Sequence, residues 1–424
     1  MIRLSRTLSS GWFAAVGATA LLGALAPAPA AHAAQLACGQ TVTTSIVLTS
    51  DLLDCPGDGL VVASSGITLD LNGHTVDGIG LGIGIRNDGF DNTTVTNSSS
   101  SPGVIQDFDY GVQLNPGASG NVVEELTVQV NELAGVELNG AVGDNQVRNN
   151  LVDRQSQRGI TSVGGASGNV IAGNTITGNQ GEGVFVQGSA DSRIEGNQIS
   201  GSGDAGLVLE GSSGNTLLTN TVDGSSDGAF LVRLGSNDNL IRGNSATLNA
   251  DAGLIVSDST GNRILNNTLQ GSGDSGIFLQ SAHGSTITGN DVRLNTGGIE
   301  LNGSDDNLIR SNIASDTTGD GISLEDSVNN ALEFNQVNSN NSGGIHVTGD
   351  AAAGSGNRLV GNTANDNNGD GIHVSKAVHT LQDNTARNNG SWGVFADPGN
   401  VDGGGNRASG NGQAAQCAGV VCTP

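Results

Sequence analysis

A glycine followed by an apolar–x–apolar triplet returns about every 22 to 27 residues across most of this chain. One such unit is too short to bury its own apolar face, so units of this length must stack on one another. The repeat therefore restricts the chain to a solenoid. The glycines that open it are Gly111, Gly135, Gly159, Gly183, Gly206, Gly228, Gly253, Gly276, Gly298, Gly321, Gly344, Gly371 and Gly393.

The unit 183–205 shows what each repeat predicts. Val184 and Val186 alternate with Phe185, which predicts a short strand with two inward side chains. Ile194 and Ile199 mark a second and a third apolar position, each bounded by a polar turn. Helical spacing is absent. We predict an all-β, single-stranded, right-handed parallel β-helix solenoid of about 13 or more coils, with three short strands per coil and a cap at both ends.

Asparagine recurs at two places in the repeat. One series runs from Asn121 to Asn357 and the other from Asn174 to Asn384. Asparagine tolerates turn conformations, and amides stacked in register can bond along a solenoid. We therefore predict that both series are structural amide ladders.

The ends of the chain depart from the repeat. An apolar run follows Arg6, and Ala31-His32-Ala33 matches a small-x-small cleavage site. This pattern predicts a signal peptide over 1–33 and hence a secreted, extracellular or periplasmic protein. We assign 34–66 to an N-terminal cap, 67–397 to the β-helix and 398–424 to a C-terminal cap. No later segment is apolar for long enough to span a membrane after processing.

Charge and cysteine content narrow the function. The formal net charge is −25, so nucleic acid would be repelled, and the sequence shows no basic patch to attract it. Four cysteines lie near the two ends, which in an exported chain indicates disulfides with three possible connectivities. We favour the local pairs Cys38–Cys55 and Cys417–Cys422, each of which would pin one terminus.

The repeats GNTITGN…GEGVFV, NNTLQGSGDSGIFL and GNTANDNNGDGIHV resemble those of pectate-lyase-like proteins. They also resemble the β-helix domain of the periplasmic NosD family and related carbohydrate-binding and sugar-hydrolase repeats. The resemblance covers about residues 60–400 and implies the fold, an exported location and, commonly, polysaccharide contact. The GHG and RIK motifs of polygalacturonases and the DPHE motif of mannuronan epimerases are missing, so no reaction is implied.

If the residues one and three places after each glycine face the core, the residue two places after it faces outward. This outward column is apolar from Phe185 to Phe278 and polar afterwards. The apolar stripe is either an exposed contact surface or is covered by the N-terminal segment or by loops. The column comprises Gln113, Glu137, Thr161, Phe185, Val208, Phe230, Ile255, Phe278, Glu300, Ser323, His346, His373 and Phe395.

The polar part of the column is the candidate site. His346 and His373 are predicted to be stacked neighbours that serve as general acid or base, with Glu300 and Glu325 as partner carboxylates. The remaining candidates, all for substrate binding, are Lys376, Trp392, Ser323 and Asp397. The alternative interpretation is a set of scattered polar residues on a solvated sheet face.

Metal binding has little support in the sequence. Asp366 and Asp370 match the opening of a calcium loop, but Ala377 stands where the bidentate glutamate belongs. We expect no required cofactor, with calcium as the one that the sequence suggests. Copper, which the NosD resemblance implies, would need more clustered ligands than His346 and His373 supply.

These features favour an exported protein that binds extracellular polysaccharide or a cell-surface glycan on the outer face of its first sheet. Whether it also acts as a lyase, glycoside hydrolase or epimerase stays open at this stage. One alternative is a non-catalytic surface, adhesion or structural rod. The other is a NosD-like factor for periplasmic copper-site maturation.

Overall fold

The computed structural model describes residues 32–349, 356–376 and 378–424, and their regular structure consists of β-strands alone. The strands form a right-handed parallel β-helix, the hand that parallel crossovers almost always take. This confirms the predicted fold class. The predicted signal peptide, 1–33, lies almost wholly outside the described residues.

Three parallel sheets run along the β-helix, and each is defined by its strands. The first sheet contains Gln40–Val42, Leu60–Val62, Ile83–Asn87, Tyr110–Leu114, Ala134–Asn139, Arg158–Val163, Val184–Gln187, Leu207–Glu210, Phe230–Arg233, Leu254–Ser257, Ile277–Gln280, Ile299–Asn302, Ile322–Glu325, Ile345–Thr348, Ile372–Val374, Val394–Ala396 and Cys417–Ala418. The second contains His32–Ala34, Ile46–Leu48, Thr68–Asp70, Thr94–Thr96, Val122–Glu124, Gln146–Arg148, Val170–Ala172, Arg193–Glu195, Thr216–Leu218, Leu240–Arg242, Arg263–Leu265, Thr286–Thr288, Leu308–Arg310, Ala331–Glu333, Arg358–Val360, Thr380–Gln382 and Val401–Gly404. The third contains Thr75–Asp77, Gly103–Gln106, Leu126–Gln129, Leu151–Asp153, Thr175–Thr177, Gln198–Ser200, Thr221–Asp223, Ser245–Thr247 and Thr268–Gln270, and resumes with Thr385–Arg387 and Arg407–Ser409.

The third sheet narrows in the C-terminal half. Between its two parts it continues only as single bridges at Asp291, Ile313, Gln336 and Thr363. The first sheet keeps full strands through the same coils. In this half of the molecule, most of the strand pairing between coils therefore belongs to the first and second sheets.

Each coil buries a few aliphatic side chains from all three sheets. In one coil Leu207, Leu217 and Val222 are fully buried and belong to a core that continues along the rod. Burying each such side chain contributes about 1.5–3 kcal/mol. The repeat glycine is needed because the backbone is crowded there: a Cβ on Gly183 would overlap the Ile199 side chain of its own coil and lie 2.7 Å from the Gly206 carbonyl oxygen of the next coil.

Amide ladders line the corners, and both predicted series are confirmed. Asn335 Nδ2 donates to Asn362 Oδ1 over 3.0 Å and to the Ile309 carbonyl over 2.9 Å. The structure contains a third ladder that the sequence analysis missed, at the corner before the first sheet. There the Asn340 amide donates to Asn367 Oδ1, and the Asn367 amide donates to Asn389 Oδ1. Glutamine, serine and threonine interrupt this third series, which hides its period.

The outward column is confirmed except at one coil. Phe230 pairs with Leu207 and is fully buried, while Leu231 pairs with Val208 and takes the outward place. The prediction that Phe230 faces outward is therefore wrong. In this coil Ala229 occupies the position that glycine takes in the other coils, and Gly228 lies one residue before that position. A shift of one residue exchanges the two faces of a strand.

The apolar stripe is covered rather than exposed over its central part. Phe185, Val208 and Leu231 are at most 6% exposed and form a second apolar cluster with Ala205, from the turn that precedes one of these strands. The Arg158 guanidinium lies 3.9 Å from the centre of the Phe185 ring. Of the two interpretations, the structure supports the covered one for these three residues.

Both ends carry the predicted disulfides, Cys38–Cys55 and Cys417–Cys422, and the described residues contain no free cysteine. The ranges assigned to caps, 34–66 and 398–424, contain strands that continue the sheets. The sheets thus extend beyond the recognisable repeat, and the cap boundaries stay predictions. Within the described ranges, no helix is long and apolar enough for a membrane span.

Candidate functional site

Five outward side chains form a straight row on the first sheet. The strand pairing places Glu300 beside Ser323, Ser323 beside His346, His346 beside His373, and His373 beside Phe395. Neighbouring strands are about 4.8 Å apart, so the row follows the rod axis. At its centre lies an open cleft, lined by Asp320, Ser342, Gly343, Ile345, His346, Gly369, Asp370 and His373.

His346 is held by Asp320. Its Nδ1 lies 3.2 Å from Asp320 Oδ2, while Asp320 Oδ1 accepts the Gly343 amide over 2.6 Å. Burial raises the pKa of Asp320, but hydrogen bonds from His346, Ser342 and the Gly343 amide outweigh it and lower that pKa to about 2. The same hydrogen bond with Asp320 raises the pKa of His346, although burial opposes it.

His373 has an equivalent partner in its own coil. Its Nδ1 lies 2.8 Å from Asp370 Oδ2, and Asp370 Oδ1 accepts the Trp392 amide over 2.8 Å. Burial raises the pKa of Asp370, yet hydrogen bonds from His373, the Trp392 amide and Ser391 leave it below its ordinary value. An ionised carboxylate only accepts, so Nδ1 is the protonated nitrogen in both rings and each Nε2 is left to meet a ligand.

Aromatic rings continue the row beyond the histidines. The ring centres of His346 and His373 are 5.0 Å apart, and those of His373 and Phe395 are 4.8 Å apart. The Trp392 ring centre lies 6.0 Å from that of Phe395. All four rings are half-buried, so each keeps some exposed surface beside the cleft.

Glu300 lies two strands from His346, with Ser323 between them. Burial raises the pKa of Glu300, and the charges of Asp274 and Asp320 raise it further. Its carboxyl group folds back over the turn at Gly297, where an added Cβ would collide with it. Glu300 thus flanks the histidine pair without lining the cleft.

The other predicted site residues are not brought into the cleft. Glu325 is exposed at the end of its strand. Asp397 Oδ2 accepts the Lys376 backbone amide over 2.9 Å, so this carboxylate holds the turn after the strand Ile372–Val374. Asp366 is exposed, and its Oδ1 accepts from Asn388 Nδ2 over 3.2 Å. The catalytic role of Glu325, the substrate-binding roles of Lys376 and Asp397 and the calcium-binding role of Asp366 stay predictions.

Sequence reasoning found the two histidines but missed their carboxylate partners. Asp320 was not named as a site residue, and Asp370 was named only for calcium. Both precede a repeat glycine directly, at Gly321 and Gly371, so the signal was an Asp-Gly dipeptide next to a histidine-bearing strand. Within the described part of the chain, no group of three or more His, Cys, Asp or Glu side chains is arranged to hold a metal ion.

Solved structures similar to this chain include an epimerase module and a lyase. The A-module of mannuronan C-5 epimerase AlgE4 from Azotobacter vinelandii has 14% identity and a TM-score of 0.48, and the match covers 86% of this chain and 88% of that one. An alginate lyase from Paenibacillus has 16% identity and a TM-score of 0.38, with 59% and 94% covered. Likenesses of this size say nothing about the reaction.

Comparison with curated proteins gives no significant match. The family model of NosD, described as periplasmic copper-binding protein, matches residues 44–229, 204–352 and 293–403. These overlapping matches follow the stacked coils and include both histidines of the cleft. Because they span most of the sequence, the chain belongs to the NosD family of β-helix proteins.

Proposed function

We propose that this protein binds a neutral or amino-sugar polysaccharide along the row Glu300–Ser323–His346–His373–Phe395. The observation that carries the proposal is the pair of carboxylate-held imidazoles, side by side in an open cleft and continued by aromatic rings. A row of rings at the spacing of the strands suits a linear polymer, because sugar rings stack on aromatic faces.

The charge of the cleft supports this class of glycan. Asp320 and Asp370 are ionised, Glu300 flanks them, and no arginine or lysine lines the cleft. A uronate chain would bring further negative charge to this surface and would be repelled. A neutral chain avoids that cost, and an amino sugar would gain an ionic partner.

We further propose that the two imidazoles take part in glycoside hydrolysis. In that reaction His373 Nε2 would take a proton from water as the water oxygen bonds to the anomeric carbon. The bond from that carbon to the leaving oxygen breaks, and His346 Nε2 would give the leaving oxygen its proton. The raised pKa of His346 favours its charged, proton-donating form near neutral pH.

The test combines a binding and a product assay on the purified mature protein, with β-glucan, chitosan and polygalacturonate as probes. We expect retention on β-glucan or chitosan, weakened about tenfold by Trp392→Ala (~1.4 kcal/mol). We expect new reducing ends to disappear in His346→Gln and His373→Gln. The matched control is His74→Gln, which removes a histidine paired with Asp51 at 3.0 Å far from the cleft.

Two results would overturn the proposal. One is binding that survives Trp392→Ala together with both histidine variants. The other is the same loss of binding in His74→Gln. Binding without product in the wild-type protein would retain the glycan site and remove the hydrolytic role.

Copper binding is the second candidate, and the family match favours it. Metal-bound histidines commonly donate their other ring nitrogen to a carboxylate, as both rings do here. The cysteines are all in disulfides, so His346 and His373 are the ligands that the cleft offers. Titration with copper should give one ion per chain, lost in His346→Gln and retained in His74→Gln. Absence of stoichiometric copper in the wild-type protein would rule this candidate out.

A further inference from the structure

The outer face of the second sheet gathers positive charge on an otherwise acidic molecule. Four of the chain's 16 cationic residues lie on the outward positions of its strands between 240 and 360: Arg242, Arg263, Arg310 and Arg358. All four side chains are exposed, and Glu333 is the one acidic residue on these strands. The sequence-based expectation of no basic patch therefore fails for this face. Successive arginines of this set are 21 to 48 residues apart along the chain, and only the coiling brings them onto one face.

Strand register arranges the arginines in two parallel columns. Arg242 and Arg310 share one column, with Leu265 and Thr288 between them. Arg263 and Arg358 share the other column. At about 4.8 Å per strand, the arginines of a column are about 14 and 19 Å apart. A compact ligand cannot bridge these distances, whereas an extended polymer can.

Two of the arginines lack ionic partners. Among the described residues, neither Arg242 nor Arg263 makes an ion pair, while Arg310 and Arg358 share Glu333 at 4.0 and 2.6 Å. The corner before these strands carries Asp238 and Asp306, so the face is acidic along that edge. The opposite corner carries no charge and leaves the arginines open to an approaching ligand.

An exposed aromatic residue, Phe334, lies at that uncharged corner. Phe334 is 50% exposed and adopts a φ of 55°, a conformation uncommon for a bulky residue. Its ring lies against Gly361, where an added Cβ would be 2.6 Å from Phe334 Cδ1. The Arg310 guanidinium is 5.6 Å from the ring centre. The corner thus presents an aromatic face next to a cation.

We propose that this face binds a linear anionic polysaccharide. Its carboxylates or sulfates would pair with Arg242 and Arg263, and a sugar ring would stack on Phe334 beside Arg310. Guanidinium groups pair well with such anions, and strand-borne arginines present a fixed row to a periodic chain. The site is separate from the acidic cleft on the first sheet and does not depend on the function proposed there.

Affinity electrophoresis of the mature protein tests the proposal, with polygalacturonate as the carboxylated probe, dextran sulfate as the sulfated probe and dextran as the neutral one. We expect retention by one or both anionic probes and none by dextran at this face. The double variant Arg242→Gln/Arg263→Gln should weaken retention at least tenfold. Phe334→Asn, which tolerates the same φ, should weaken it severalfold. Raising the salt concentration should weaken it as well.

The matched control is Arg387→Gln/Arg407→Gln, which removes the same charge from exposed arginines of the third sheet. If the control weakens retention equally, the loss of retention would reflect net charge alone, and the proposed site would be overturned. No retention of either anionic probe, or stronger binding of duplex DNA that the first double variant abolishes, would also overturn it. His346→Gln should leave this binding unchanged, so a failure of the cleft is distinguishable from a failure of this face.

Discussion

At the residue scale, the candidate cleft depends on two aspartates that hold two imidazoles. Asp320 reaches His346 because Gly343 has no side chain in the way: a Cβ there would lie 3.1 Å from Asp320 Oδ1. The Gly343 amide also donates a hydrogen bond to that carboxylate. Small residues in the turn are thus as necessary to the site as the titrating groups.

Asp320→Asn should lower the pKa of His346 toward or below its ordinary value, because the hydrogen bond that favours the charged ring is weakened and the burial penalty remains. NMR titration of the His346 ring protons measures the change. Asp144→Asn removes an equal charge at an exposed corner and should leave that titration unchanged. An unaltered His346 pKa in Asp320→Asn would contradict the pairing.

His379 makes a second prediction at this scale. It precedes the strand Thr380–Gln382 as Asn357 precedes Arg358–Val360, so it takes an asparagine position in a ladder. It is 3% exposed, its Nδ1 has no hydrogen-bond partner, and burial lowers its pKa. In the unfolded chain His379 therefore takes up a proton at a higher pH than in the folded chain. The free energy of unfolding should fall as the pH falls below about 6.5.

His379→Asn should restore the ladder, raise the free energy of unfolding at pH 7 by about 1 kcal/mol, and remove this part of the acid sensitivity. Thermal unfolding between pH 5 and 8 provides the measurement, with His283→Asn, at a partly exposed histidine, as control. His346 has the opposite sign, since its raised pKa adds stability below about pH 6.5 that is lost as the pH rises through its folded pKa. A wild-type minus variant difference that does not vary with pH would refute the assignment.

At the element scale, the coils are joined by buried amides as well as by strand pairing. Asn335 accepts from Asn312 and donates to Asn362 and Ile309. Asn335→Ala would leave several of these buried groups unpaired and should cost about 2–4 kcal/mol of unfolding free energy. Asn341→Ala, at an exposed site, should stay within about 0.5 kcal/mol. Denaturant unfolding compares the two, and equal losses would contradict the ladder's role.

The elements were largely predictable because their signal is local. Alternation around Val184 and the spacing of Ile194 and Ile199 predicted three strands per coil. The structure has them except in the coils where the third strand is reduced to a single bridge, at Asp291, Ile313, Gln336 and Thr363. The coil at Gly228 was misplaced by one residue because two small residues, Gly228 and Ala229, can each fill the crowded position. Which one does so depends on the neighbouring coil.

At the scale of the whole molecule, the disulfides secure the ends of a rod that would otherwise open coil by coil. Cys38→Ser/Cys55→Ser should destabilise the first coils by about 3 kcal/mol, the size for a loop of similar length. Hydrogen exchange should accelerate in residues 40–62 and stay slow in the central coils. Cys417→Ser/Cys422→Ser, which opens a sequence separation of 5 instead of 17, should have a smaller effect. Uniform acceleration along the rod would contradict end-specific pinning.

By itself, the sequence determined the solenoid, the inward and outward positions of most strands and two amide ladders, and it favoured the local pairing of the four cysteines that the structure has. These follow from periodicity and from residues close in the chain. Only the tertiary structure decided which charged groups meet. Asp320 and His346, which form a hydrogen bond, are 26 residues apart in the sequence. The arginine face extends over six strands of the second sheet. Coiling turns separations of about one repeat into spatial neighbours, and the lengths of individual turns set which side chains come together.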